Sequence, residues 1–130
     1  LSCAAGLAVL DIIEEEGLCQ RAGKIGEQIV SWGKALQVET RCIGDVRTTG
    51  AMAAIEIVVD GDANRPDAER TKAIVSAAAE QGVLMLACGI RGNVIRFLPP
   101  LTISDELLGE ALRRAREVIL GVAGKLSKAS

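Results

Sequence analysis

The 130 residues predict an α+β domain, a small and mainly antiparallel sheet of three to four strands with its helices packed on one face. Three observations carry that prediction. Apolar residues recur at helical spacing from Leu18 to Leu36 and again from Leu108 to Leu126. Between those stretches the pattern changes to that of strands, at 43–59 and 93–98. The candidate strands 83–87 and 93–98 are joined too closely for a parallel crossover, so they pair as a hairpin that segment 52–59 can extend.

Residues 2–16, SCAAGLAVLDIIEEE, read as the first helix, with Ser2 as its cap and Gly17 as its stop. Glu14, Glu15 and Glu16 oppose the helix dipole at that end. Ala4, Leu7, Val9, Leu10, Ile12 and Ile13 exceed what one buried face requires, so part of this helix is expected to meet another domain or a partner. A second helix over 18–38 aligns Leu18, Ala22, Ile25, Ile29, Trp32 and Leu36 on one side. Gly23, Gly26 and Gly33 lower its intrinsic propensity, which leaves packing to hold it.

IGDVRTTGAMAAIEIVVDGD contains two extended segments about Thr48-Thr49-Gly50, and Asp60-Gly61-Asp62 with Asn64 reads as a polar turn. Asp67 is a cap for a helix over 68–81, and Gly82 is its stop. VLMLA (83–87), the glycine-bounded turn CGIRGN and the strand at 93–98 follow, closed by Pro99-Pro100. Ser104 caps a last helix along Leu108, Ala111, Leu112, Ala115, Val118, Ile119, Val122 and Leu126, with Asp105 and Glu106 favourably in its first turn.

Composition narrows the function. A net charge of −2, one Trp, one Phe and no Tyr argue against a nucleic-acid surface built on phosphate attraction and base stacking. No apolar run is long enough for a membrane span. Residues 1–130 read as a single domain. Cys3, Cys19, Cys42 and Cys88 are scattered, without a CxxC pair or any His, so no metal site is expected. They are expected to be reduced and mostly buried, in a cytoplasmic protein. The same lack of His removes the usual general base, and neither Cys42 nor Cys88 has an identifiable activating partner. AGKIG (22–26) is not a phosphate loop, because Leu18 and Ile25 stand where Gly and Ser or Thr are required. Lys24, Lys34 and Lys72 fall on the polar sides of helices, without the desolvation a Schiff-base lysine needs.

One residue resists this bland reading. Arg96 lies inside Val-Ile-Arg-Phe-Leu, where alternation puts it on one face with Val94 and Leu98, opposite Ile95 and Phe97. A guanidinium so placed calls for an anion, either a protein carboxylate or a ligand. Glu56, inside the apolar AMAAIEIVV, is the candidate protein partner across adjacent strands. Asp45 and Arg47, two apart on an extended segment, share a face and read as a structural pair.

LSCAAGLAVLDIIEEEGL (1–18), IGDVRTTGAMAAIEI (43–57) and NVIRFLPPLTIS (93–104) together resemble the C-terminal small domain of class III, fold-type I, pyridoxal-phosphate-dependent aminotransferases. GNVIRFLPPLTIS leans towards members that act on 4-aminobutyrate. The resemblance implies transfer of an amino group from 4-aminobutyrate, or a related ω-amino acid, to 2-oxoglutarate in a homodimer. It also implies that the cofactor is held by a large upstream domain absent from these residues. This domain alone would then bind no cofactor and contribute no catalytic residue. Arg96 falls on the family's substrate arginine, which receives the α-carboxylate of glutamate or 2-oxoglutarate. Ile90-Arg91 departs from the family, which often carries an aromatic there. The rival reading is a non-enzymatic α+β module that binds small carboxylates as a regulatory domain.

Overall fold

The computed structural model describes residues 1–126, with side chains described as far as Gly124. Helices α1 (Ser2–Glu15) and α2 (Leu18–Glu39) come first, followed by strands β1 (Ile43–Thr49), β2 (Met52–Val59) and β3 (Asp62–Pro66). Helix α3 (Ala68–Glu80), strands β4 (Leu86–Cys88) and β5 (Val94–Phe97) and helix α4 (Asp105–Leu126) complete the order. Every strand pairing is antiparallel. The main path is β1-β2-β5-β4, and β3 pairs with the far end of β2, making five strands where three to four were expected. The α+β class, the antiparallel sheet and the hairpin between the 80s and 90s all stand.

Helices α2, α3 and α4 cover one face of the sheet. Ile55, Ile57 and Ile95 project from the strands into a core with Leu36, Ile74, Ala115 and Ile119. Ile25, Ile29, Ala53, Leu108 and Leu112 form a second cluster beside it. Trp32 and Phe97 pack against both, with ring centroids 5.5 Å apart in an edge arrangement. Asn93 is buried and donates from Nδ2 to the Ile57 carbonyl at 3.0 Å, tying the start of β5 to β2.

The expected apolar lines are the buried ones. In α2, Ile25, Ile29 and Leu36 are fully buried, and in α4 Leu108, Leu112, Ala115, Val118 and Ile119 are buried. The Leu126 side chain lies outside the described residues. Asp67 caps α3 by accepting from the Arg70 amide at 2.9 Å, and Ser104 Oγ accepts from the Leu107 amide at 3.2 Å.

Other expectations are corrected. Ser2 is the first residue of α1 and not its cap; Leu1 holds the cap position without a side-chain bond. The strand expected at 83–87 starts only at Leu86, because the Val83 amide closes the end of α3 on the Ala78 carbonyl at 2.9 Å. Residues 62–66 form a strand instead of extending the polar turn, since the tight turn at Asp60-Gly61 already returns the chain along β2. Mostly buried thiols were expected, yet Cys3 and Cys19 are exposed, Cys88 is half-buried and only Cys42 is buried. Cys3 is open because α1 buries no residue at all: it packs against α2 alone among the described elements, leaving Leu7, Val9, Leu10 and Ile12 open.

Burial pushes the Cys42 thiol above its ordinary value of 9.0, despite an opposing hydrogen bond to Thr40. Between the ordinary and the raised value the folded state holds more protons than the unfolded one, so Cys42 lowers stability as pH rises through that window. In a thiol-reagent titration of the native protein, Cys3 and Cys19 are expected to react first and Cys42 only on unfolding. Rapid native modification of Cys42 would show that its cover opens freely.

Candidate functional site

The face of the sheet away from the helices carries the polar residues. Register places Arg47, Ala54, Arg96 and Leu86 in one row across β1, β2, β5 and β4. The adjacent row is Asp45, Glu56, Val94 and Cys88. Directly opposed residues in antiparallel pairs share a face, so both arginines and both carboxylates project to the same side. Ile55 and Ile95 alternate to the core side, and this separation is why an arginine fits inside an apolar strand.

Arg47 takes both carboxylates. Its Nη1 donates to Asp45 Oδ2 at 2.6 Å and to Glu56 Oε1 at 2.7 Å. These contacts, Asp45 foremost and then Glu56, hold the Arg47 guanidinium above its ordinary value. Arg47 is half exposed, so each pair alone contributes at most about 1 kcal/mol.

Arg96 stands differently. It is exposed, and among the described residues no carboxylate lies within ion-pair distance of it. The Arg96–Glu56 pair weighed from the sequence is therefore not formed, because Glu56 has turned to Arg47. The strand itself holds Arg96 in place, since its neighbours Ile95 and Phe97 are anchored in the core. A shallow depression of about 260 Å³ opens beside it, lined by Arg47, Thr48, Met52, Ala54, Cys88 and Arg96. At one corner is the turn 89–92, closed by a Gly92 amide to Gly89 carbonyl bond of 3.0 Å. Cys88 was read from the sequence as an inert thiol, and its place on this wall has no signal in the linear pattern.

The depression offers an anion a fixed guanidinium and little else that is chemically reactive. Lys24, Lys34 and Lys72 are exposed on the helices, in water and away from the arginine rows, where nothing desolvates an amine. No helix among the described residues is long and apolar enough to cross a membrane.

Comparison with known proteins identifies the family of the chain. Residues 1–119 match the family model described as aminotransferase class-III. A probable 4-aminobutyrate aminotransferase of Bacillus subtilis is 54% identical over 112 residues, which cover 86% of this chain and 26% of that protein. A 5-aminovalerate aminotransferase of Pseudomonas aeruginosa is 45% identical over 112 residues, again 86% of this chain and 26% of the relative. Among solved structures, a Bacillus anthracis aminotransferase superposes with a TM-score of 0.83 at 28% identity, covering 91% of this chain and 27% of that one. The chain thus spans about a quarter of the length of the relatives it matches. With the family's model running through nearly all of its described length, this chain belongs to the class-III aminotransferases.

Proposed function

We propose that these residues are the C-terminal small domain of a cytoplasmic, homodimeric, pyridoxal-phosphate-dependent transaminase. The complete enzyme moves an amino group from 4-aminobutyrate, or a related ω-amino acid, to 2-oxoglutarate. Arg96 is its clamp for the substrate carboxylate. The observation that carries this reading is an exposed guanidinium on a core-anchored strand, beside a depression whose nearby carboxylates are occupied by Arg47. Such a group is preorganised for the two parallel hydrogen bonds of a carboxylate.

Pyridoxal phosphate supplies the carrier chemistry and is held by the remainder of the longer protein. The apolar surface of α1 meets that remainder or the dimer partner, which accounts for a helix of 14 residues with none buried.

The test is an assay of the complete protein with cofactor, 2-oxoglutarate and either 4-aminobutyrate or 5-aminovalerate. Glutamate is the expected product, and the preferred donor identifies the ω-amino acid. Residues 1–130 alone are expected to yield none and to retain no cofactor. A complete protein that forms no glutamate from either donor would overturn the reading. So would cofactor bound covalently to a lysine of the isolated chain.

A further inference from the structure

Glu56 lies between two arginines. Arg47 on β1 and Arg96 on β5 are both register partners of Ala54, so each is a diagonal neighbour of Glu56 on the same open face. Diagonal neighbours in a sheet lie within reach of long side chains. Glu56 bonds only one of them, Arg47 Nη1 at 2.7 Å. Asp45, the direct register partner of Glu56, accepts from the same nitrogen at 2.6 Å. One guanidinium thus bridges two carboxylates that would otherwise repel each other across the strands.

We infer that Arg47 is a positioning residue for the substrate site: by holding Glu56 on the β1 side, it keeps Arg96 available to a substrate carboxylate. Without Arg47, Asp45 and Glu56 face each other as like charges. Glu56 relieves that repulsion by turning towards β5, where Arg96 is its diagonal neighbour, with Arg91 the other cation on that side, lining a hollow that Glu56 shares. The pair so formed competes with the substrate for the same planar donors. Arg47 touches no substrate in this scheme and acts through Glu56.

The inference rests on Arg96 being the carboxylate clamp, and the experiment separates the two. In the complete enzyme with cofactor, KM for 2-oxoglutarate is measured in Arg47→Gln, Glu56→Gln, the double variant and Arg96→Ala, alongside kcat and thermal midpoint. Arg47→Gln is expected to raise KM about fivefold, the strength of a partly exposed ion pair acting as competitor, with little change in kcat. The double variant returns KM to the wild-type range, and Glu56→Gln alone leaves it there. A purely architectural Arg47 gives a lower thermal midpoint and a KM that Glu56→Gln does not restore. That outcome overturns the inference while Arg96→Ala still raises KM and the clamp stands. If Arg96→Ala leaves KM unchanged, both fall. Should Arg47→Gln not accumulate folded, Arg47→Met with and without Glu56→Gln makes the same comparison, because it too removes the single donor nitrogen and the charge that hold Glu56 on the β1 side.

Discussion

Arg96→Ala in the complete enzyme is expected to lower kcat/KM for 2-oxoglutarate by roughly 100-fold while leaving the fold intact. Hydrogen bonds to charged groups contribute about 1.5–3 kcal/mol each. A clamp lost as a pair, with water as partial replacement, therefore removes about two factors of ten. The loss should appear in the half-reaction that binds the α-carboxylate and be smaller in the amine half-reaction, because a missing contact acts only where its partner is bound. Arg96→Lys should recover little of it, since an ammonium does not reproduce the planar fork. Stability should change little, because Arg96 is exposed and Glu56 is already paired with Arg47. Had Arg96 and Glu56 formed a buried pair, truncation would have cost about 3–5 kcal/mol. Equal damage to both half-reactions, or a collapse of the thermal midpoint, would make Arg96 an architectural residue.

Gly26→Ala and Gly23→Ala are expected to have opposite signs, though they sit three residues apart in one helix. A Cβ at position 26 would run into the Gly50 carbonyl oxygen and lie 3.0 Å from Thr48 Oγ1. The first obstacle is backbone at the β1–β2 turn, so α2 and the hairpin must separate. Overpacking of this kind costs about 1–3 kcal/mol and occasionally more. The gain in helix propensity, about 1 kcal/mol, offsets only part of it. At position 23 a Cβ meets nothing within 4 Å, so only the propensity gain remains. Thermal unfolding should show a lower midpoint for Gly26→Ala and a higher one for Gly23→Ala. Two shifts of the same sign would mean that α2 does not approach the hairpin as closely as described. The hairpin also carries Arg47 and Thr48, so Gly26→Ala should disturb the depression beside Arg96 as well.

Much of this protein is written locally. The face of α2 that packs is legible in the steps from Ile25 to Leu36, and the caps at Asp67 and Ser104 follow from residue type and place. Alternation alone puts Arg96 on the side opposite Ile95 and Phe97. Family membership is equally local, because it is carried by short stretches such as NVIRFLPPLTIS.

What the linear pattern leaves open are choices between distant partners. Glu56 has an arginine on each side of Ala54, and only the strand order β1-β2-β5-β4, with its register, brings both within reach and then gives Glu56 to Arg47. Gly23, Gly26 and Gly33 carry the same helix penalty. Yet Gly26 abuts the Gly50 backbone, a Cβ at Gly33 would lie 2.7 Å from Val46 Cγ1, and Gly23 faces open space. Cys3 and Cys19 are open because α1 and the outer side of α2 find no cover within these residues, which thiol chemistry alone does not foretell. Period and the caps at Asp67 and Ser104 depend on neighbours within a turn or a pleat, so the sequence determines them by itself, whereas Ser2, at a helix with no buried face, is not a cap. Pairing and close approach depend on elements separated by tens of residues, and only their packing decides them.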